Sequence, residues 1–173
     1  MMKVAMKRTV IFIAFAMTMT LLVDHLHYTI KTEHLSDYTT RQLASQLPDE
    51  TEIELLASKS ASFINVLFYK TRLGSESTLW VMAYRKSPIS QAFQLVKQIK
   101  LSPYDGSPLD KSFLVSQFGH KMLVLFGINS NYNIQVMRNR VASEYYETSK
   151  MPSYLMMLDD IEHLYFYYET KTE

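Results

Sequence analysis

Fifteen uncharged residues, Thr9-Val-Ile-Phe-Ile-Ala-Phe-Ala-Met-Thr-Met-Thr-Leu-Leu-Val23, lie between a basic head (Lys3, Lys7, Arg8) and Asp24-His25. A basic head followed by an apolar run is the pattern by which a chain enters the secretory route. As a helix the run spans about 22 Å at ~1.5 Å per residue, short of the ~30 Å hydrocarbon core of a bilayer. That length suits a signal-peptide core slightly better than a full span, but the cleavage signals are poor. Cutting after Ala14-Phe15-Ala16 leaves only Thr9–Ala16 as an apolar core, and Thr18-Met19-Thr20 is a weak substitute. Residues 1–23 are therefore expected to form an uncleaved signal anchor that meets the membrane through residues 9–23. Lys7 and Arg8 would snorkel to the interface, while Leu26, Tyr28 and Ile30 extend the apolar face. Positive charge on the short N-terminal side predicts a single-pass protein of the cell membrane, its N-terminus cytoplasmic and residues 24–173 outside. The alternatives are secretion after signal cleavage and a buried helix of a soluble protein.

The composition of the rest narrows the field. The 173 residues suit one ordinary domain, and 47% apolar against 20% charged residues exclude a disordered chain. With no Cys, a disulfide scaffold, a thiolate metal site and a Cys nucleophile are all excluded. The net charge of +1 gives no electrostatic reason to expect nucleic acid. Setting aside Lys3, Lys7 and Arg8 leaves 15 basic against 17 acidic residues, so the expected exported part is mildly acidic.

Residues 24–58 are polar, with Thr, Ser, Asp and His among scattered Leu, and predict a membrane-proximal, partly helical stalk. Gln42–Leu47 offers a helical turn before Pro48, and the acids of Asp49–Leu56 favour a second short helix through its N-terminal dipole. From residue 59 to 173 the pattern turns β-rich. Phe63–Tyr69 and Thr78–Tyr84 are β-branched and aromatic runs that predict a hairpin across Thr71–Ser77, a loop longer than two residues. Ile64, Val66 and Phe68 would share a face with Leu79, Val81 and Ala83. Gln91–Leu101 fits either a helical stripe or an alternating strand; the Ser87-Pro88 turn before it favours the strand. Ser102–Pro108 is a loop. Met122–Ile128 and Asn133–Arg140 predict a second hairpin across Asn129–Tyr132, with Ile134 and Val136 opposite Asn133, Gln135 and Asn139. Met151–Leu158 suits a strand or a short helix, and His163–Tyr168 a last strand.

Chemistry-bearing patterns are sparse. His25-x-His27 with His34 could ligate a metal from an extended strand, but no acid or Cys at fixed spacing completes the set, and solvated histidines are the plainer reading. Asp159-Asp160-x-Glu162-His163 lacks the glycine of a calcium loop and reads as a solvated acidic turn. Neither Gly-x-Ser-x-Gly nor a phosphate-cradling glycine loop occurs. No catalytic residue, cofactor or metal site is thus assigned. The aromatic residues remain. Tyr145, Tyr146, Tyr154, Tyr165 and Tyr167 crowd the C-terminal third, and alternation would leave some of them outside the core as a surface for a protein or glycan partner. Ordinary sheet packing is the competing account.

The order of features in Phe63–Leu101 is a strand, a glycine-bearing turn, a Trp-containing strand, the basic pair Arg85-Lys86 and a third apolar segment. With the basic anchor and Leu125-Phe-Gly-Ile-Asn-Ser-Asn131, it resembles small, uncharacterised membrane-anchored extracytoplasmic proteins of Gram-positive bacteria such as bacilli. The resemblance implies the location and a β-rich body; it carries no reaction, so no residue inherits a role from it. The expected fold is α+β and β-rich: a transmembrane or signal-anchor helix, a short helical stalk, and a mostly antiparallel sheet domain of about five to seven strands. The expected function is that of an accessory or binding protein of the cell envelope with a protein partner. The alternative is an extracytoplasmic hydrolase using His120 or His163 with nearby carboxylates.

Overall fold

Three of the strand-like runs in this chain are apolar almost without a break, and that pattern requires cover on both faces of a sheet. The computed structural model describes residues 2–61, 63–117, 119–139, 141–159, 161 and 164–170. Helix α1 spans Met2–His27, followed by the two-residue β1 (Ile30–Lys31) and helix α2 (Leu35–Gln46). Then come β2 (Glu52–Ala61), β3 (Ile64–Leu73), β4 (Glu76–Lys86), β5 (Ala92–Tyr104), β6 (Leu109–Gln117) and β7 (His120–Ile128). The chain ends with β8 (Tyr132–Arg138), β9 (Val141–Tyr146), a 3-10 turn, β10 (Ser153–Leu158) and β11 (Leu164–Thr170).

The strands make three antiparallel sheets. Sheet I has the order β1-β5-β4-β3-β2, sheet II β10-β7-β6, and sheet III β11-β8-β9. The layers stack as α2, sheet I, sheet II, sheet III. Leu35 and Leu43 of α2 cover Leu67, Tyr69, Trp80, Met82, Tyr84 and Phe93 on one face of sheet I. The opposite face of sheet I presents Ile64, Val66, Phe68, Leu79, Val81 and Ala83 to Met122, Val124 and Phe126 of sheet II. The far side of sheet II packs Leu123, Leu125, Tyr154, Met156 and Leu158 against Ile134 and Val136 of sheet III. Strand β7 therefore lies between two other sheets, and every residue from Met122 to Ile128 apart from Gly127 belongs to one of these two cores.

The antiparallel, β-rich body behind an apolar helix is as expected, and so is the shared face of Ile64, Val66, Phe68, Leu79, Val81 and Ala83. Several local expectations change. The β3–β4 connection is a two-residue turn, Gly74-Ser75, because Leu73 pairs with Glu76. Gly74 has φ +60, which suits the first central position of a tight hairpin turn. Asp49–Leu56 forms no second helix; from Glu52 onward it is β2, paired along its length with β3. Gln91–Leu101 is strand from Ala92 onward, within β5, which runs on through Ser102 and Pro103 to Tyr104 where the sequence predicts a loop. The predicted hairpin of Met122–Ile128 with Asn133–Arg140 does not exist: β7 pairs with β6 and β10, and β8 with β9 and β11. At Asn129 (φ 51) the chain instead steps from sheet II into sheet III.

Residues 24–58 do not stand clear of the sheets as a stalk. Tyr28, Leu35, Thr39 and Leu43 are buried, the Tyr69 hydroxyl donates to the Ser36 carbonyl (2.9 Å), and β2 crosses the expected boundary at residue 58. Apolar surface on the outer face of sheet I explains this, since α2 is the only helix packed over it among the described residues.

Candidate binding face

Helix α1 leaves its apolar side chains uncovered. Val10, Ile11, Phe12, Ile13, Phe15, Met17, Leu21 and Leu22 are all exposed, which excludes the core helix of a soluble domain. Thr9–His27 is a 19-residue stretch apolar enough to cross a membrane, about 28 Å long as a helix. The chain thus carries an N-terminal membrane-anchoring segment one turn longer than the sequence run. The added turn includes Asp24, whose carboxylate accepts hydrogen bonds from the Ser87 hydroxyl and from the Ser90 hydroxyl (2.7 Å) in the β4–β5 connection.

Sheet III is the outermost layer, and its outer face is set by register. Tyr167 of β11 pairs with Gln135 of β8, which pairs with Tyr145 of β9, so the three side chains form one row across the sheet. Tyr165, opposite Met137, sits one step along on the same face. Tyr165, Tyr145 and Tyr167 are 58%, 49% and 43% exposed. Tyr145 is braced: the buried Asn133 donates to its hydroxyl (2.9 Å), while the Asn133 carbonyl oxygen accepts from the Ser149 amide (3.2 Å) and hydroxyl (2.7 Å). Among the described residues β9 and β11 have no further strand beyond them, so both edges of this sheet are open.

The other two tyrosines singled out from sequence lie elsewhere. Tyr154 is 3% exposed within the core between sheets II and III and donates to the Asp110 carboxylate (2.7 Å). Burial, reinforced by that carboxylate, pushes its hydroxyl far above the ordinary tyrosine range. Tyr146 faces the same core and bonds to the Glu144 carboxylate; burial and this neighbour push it up to about 12. The structure gathers Tyr145, Tyr165 and Tyr167 and withdraws Tyr146 and Tyr154. Sequence reasoning missed Asn133, Gln135 and Met137 as members of the face. Their alternation was legible, but the strands that flank β8 were not.

The weaker patterns do not assemble. His25 and His27 lie in a helix, where residues two apart project about 200° from one another and cannot share an ion. No group of three metal-ligating side chains occurs among the described residues. His120 is exposed, its ring 6.1 Å from that of Phe63, with no carboxylate partner among the described residues. Asp159 pairs with Arg138, whereas Asp160, Glu162 and His163 lie outside the described residues. No family model, curated protein or solved structure matches the chain.

Proposed function

We propose that this is a membrane-anchored extracytoplasmic binding protein of the cell envelope, in which α1 holds the chain at the membrane and sheet III presents an aromatic face to a protein partner. The row of Tyr145, Gln135 and Tyr167 with Tyr165 beside it carries the reading. Tyrosine gives a large contact area at little entropic cost, and Asn133 has already fixed one of the three. The basic residues on the N-terminal side of the apolar stretch support an outward-facing body, and the resemblance in layout to small anchored proteins of Gram-positive bacteria would imply the same location.

Two measurements test this. Crosslinking in intact cells, followed by gentle solubilisation, is expected to recover a stable complex. Changing Tyr145, Tyr165 and Tyr167 together to Ser is expected to weaken it by at least about tenfold, roughly 1.4 kcal/mol. A complex indifferent to the triple change removes the face from the account. Intact mass of the membrane-extracted protein is expected to show an uncleaved N-terminus; a new one near Met17 or Leu21 would mean secretion instead.

A further inference from the structure

The β4–β5 connection, Ser87-Pro88-Ile89-Ser90, is built unlike an ordinary surface loop. All its backbone donors are accounted for internally. The Ser87 amide bonds to the Ala92 carbonyl (2.9 Å), Pro88 has no N–H, and the amides of Ile89 (3.0 Å) and Ser90 (2.8 Å) both donate to the Ser87 hydroxyl oxygen. The hydroxyls of Ser87 and Ser90 in turn satisfy the carboxylate of Asp24, which is 7% exposed. Internally paired N–H groups are part of what a loop needs where water is scarce.

Its position fits that chemistry. Phe12, Ala16, Thr20 and Asp24 follow at intervals of four on α1, with Ile13, Met17 and Leu21 on the adjoining row, so they share one helix face. Asp24 at the head of this face grips the loop. Below it, Ile89 lines an apolar groove together with Phe12, Ile13, Ala16, Met17, Thr20 and Leu21. Thr20 lies about 6 Å along the axis from Asp24 on the N-terminal side. Ile89 therefore overhangs the part of α1 that is apolar enough to cross a bilayer, and half of its side chain is uncovered.

We propose that the Ser87–Ser90 loop is a second membrane contact, with Ile89 seated among the acyl chains that surround Phe12–Leu21 and the Asp24–Ser87–Ser90 node closing the boundary above it. This rests on α1 spanning a bilayer. The occupant of the groove is lipid because six of its seven lining residues belong to the membrane-anchoring segment itself. Two contacts at different points of the fold fix the tilt of the sheets on the membrane, whereas a helix alone would leave them free to swivel.

The chain has no Cys, so single labels can be placed without background. Environment-sensitive fluorophores on Ile89→Cys, Met17→Cys and Ser75→Cys would be compared in the full chain, reconstituted in phosphatidylcholine–phosphatidylglycerol vesicles. Quenchers would be nitroxide on the acyl chains and aqueous iodide. Ser75, beyond the far end of β4, lies about 35 Å from the loop at ~3.3 Å per residue and serves as the water-exposed reference. Position 89 is expected to follow Met17: quenched by the lipid nitroxide and shielded from iodide. If position 89 follows Ser75 while Met17 is lipid-quenched, the loop contact is wrong and the span stands. If neither 17 nor 89 is quenched by lipid, both readings fall. Shielding of position 89 from both quenchers would assign the groove to protein, such as a second copy of this chain, and overturn the proposal.

Discussion

Phe126→Ala is expected to lower the unfolding free energy by about 3–5 kcal/mol. The ring is fully buried between sheets I and II. It meets Phe68 edge-on from sheet I (centroids 5.4 Å, 68°) and Phe113 from β6 (6.1 Å, 65°). Truncation removes both ring contacts and leaves a cavity between two sheets whose backbones cannot close on it. Against a usual total of about 5–15 kcal/mol, that loss brings the domain near its folding limit. Urea unfolding of the solubilised chain, followed by the fluorescence of Trp80, measures it. Leu114→Ala on neighbouring β6, where the side chain is exposed, is the control and is expected to change little. A loss below about 1 kcal/mol for Phe126→Ala would mean that the two sheets are not packed face to face.

Strong loss of stability in alkali is the second large effect expected. Tyr69, Tyr84 and Tyr154 all have hydroxyls raised above the ordinary value of 10.0, in each case chiefly by burial. The folded state holds these protons more tightly than the unfolded chain. Their contribution is therefore complete below about pH 10 and is lost as pH rises from there through the folded values, by up to about 1.4 kcal/mol per pH unit for each group. The urea midpoint is expected to fall as pH rises from about 10 to about 12, with tyrosinate absorbance lagging behind that of the unfolded chain. Tyr154→Phe is expected to lessen the slope while lowering stability at neutral pH, since Asp110 then loses its partner. A midpoint unchanged across that range would remove these hydroxyls from the interior.

What the sequence revealed follows how far each segment's environment is local. Ile64, Val66 and Phe68 on β3 and Leu79, Val81 and Ala83 on β4 could be assigned to one face because a hairpin joins near neighbours whose side chains alternate. Met122–Ile128 was legible as a strand but not in its pairing. A continuous apolar run followed by Asn129 looks like half of a hairpin, yet the run is apolar because both faces are covered, and that sends the next strand to another layer. Asp49–Leu56 has the acids of a helix start, and only pairing with the distant β3 makes it a strand. Strand β6 has only a weak signal, since Phe113 and Val115 alternate with Ser112 but the exposed Leu114 breaks the polar face. The exposed tyrosine face was half legible: tyrosine content pointed to it, but only the register of β8 with β9 and β11 separates Tyr145, Tyr165 and Tyr167 from Tyr146 and Tyr154.

The excursion between β7 and β10 carries a cost during biosynthesis. Strand β7 has β6 on one side from the start, but its other edge waits for residues 153–158, and β8 and β9 are made in between. Until β10 arrives, the apolar edge Leu123–Ile128 is open for pairing with other chains, the kind of surface on which growing polypeptides aggregate. The pairing of β7 on that side is complete only when β10 is in place. Protection of this edge therefore depends on residues that lie about 25 positions further along the chain.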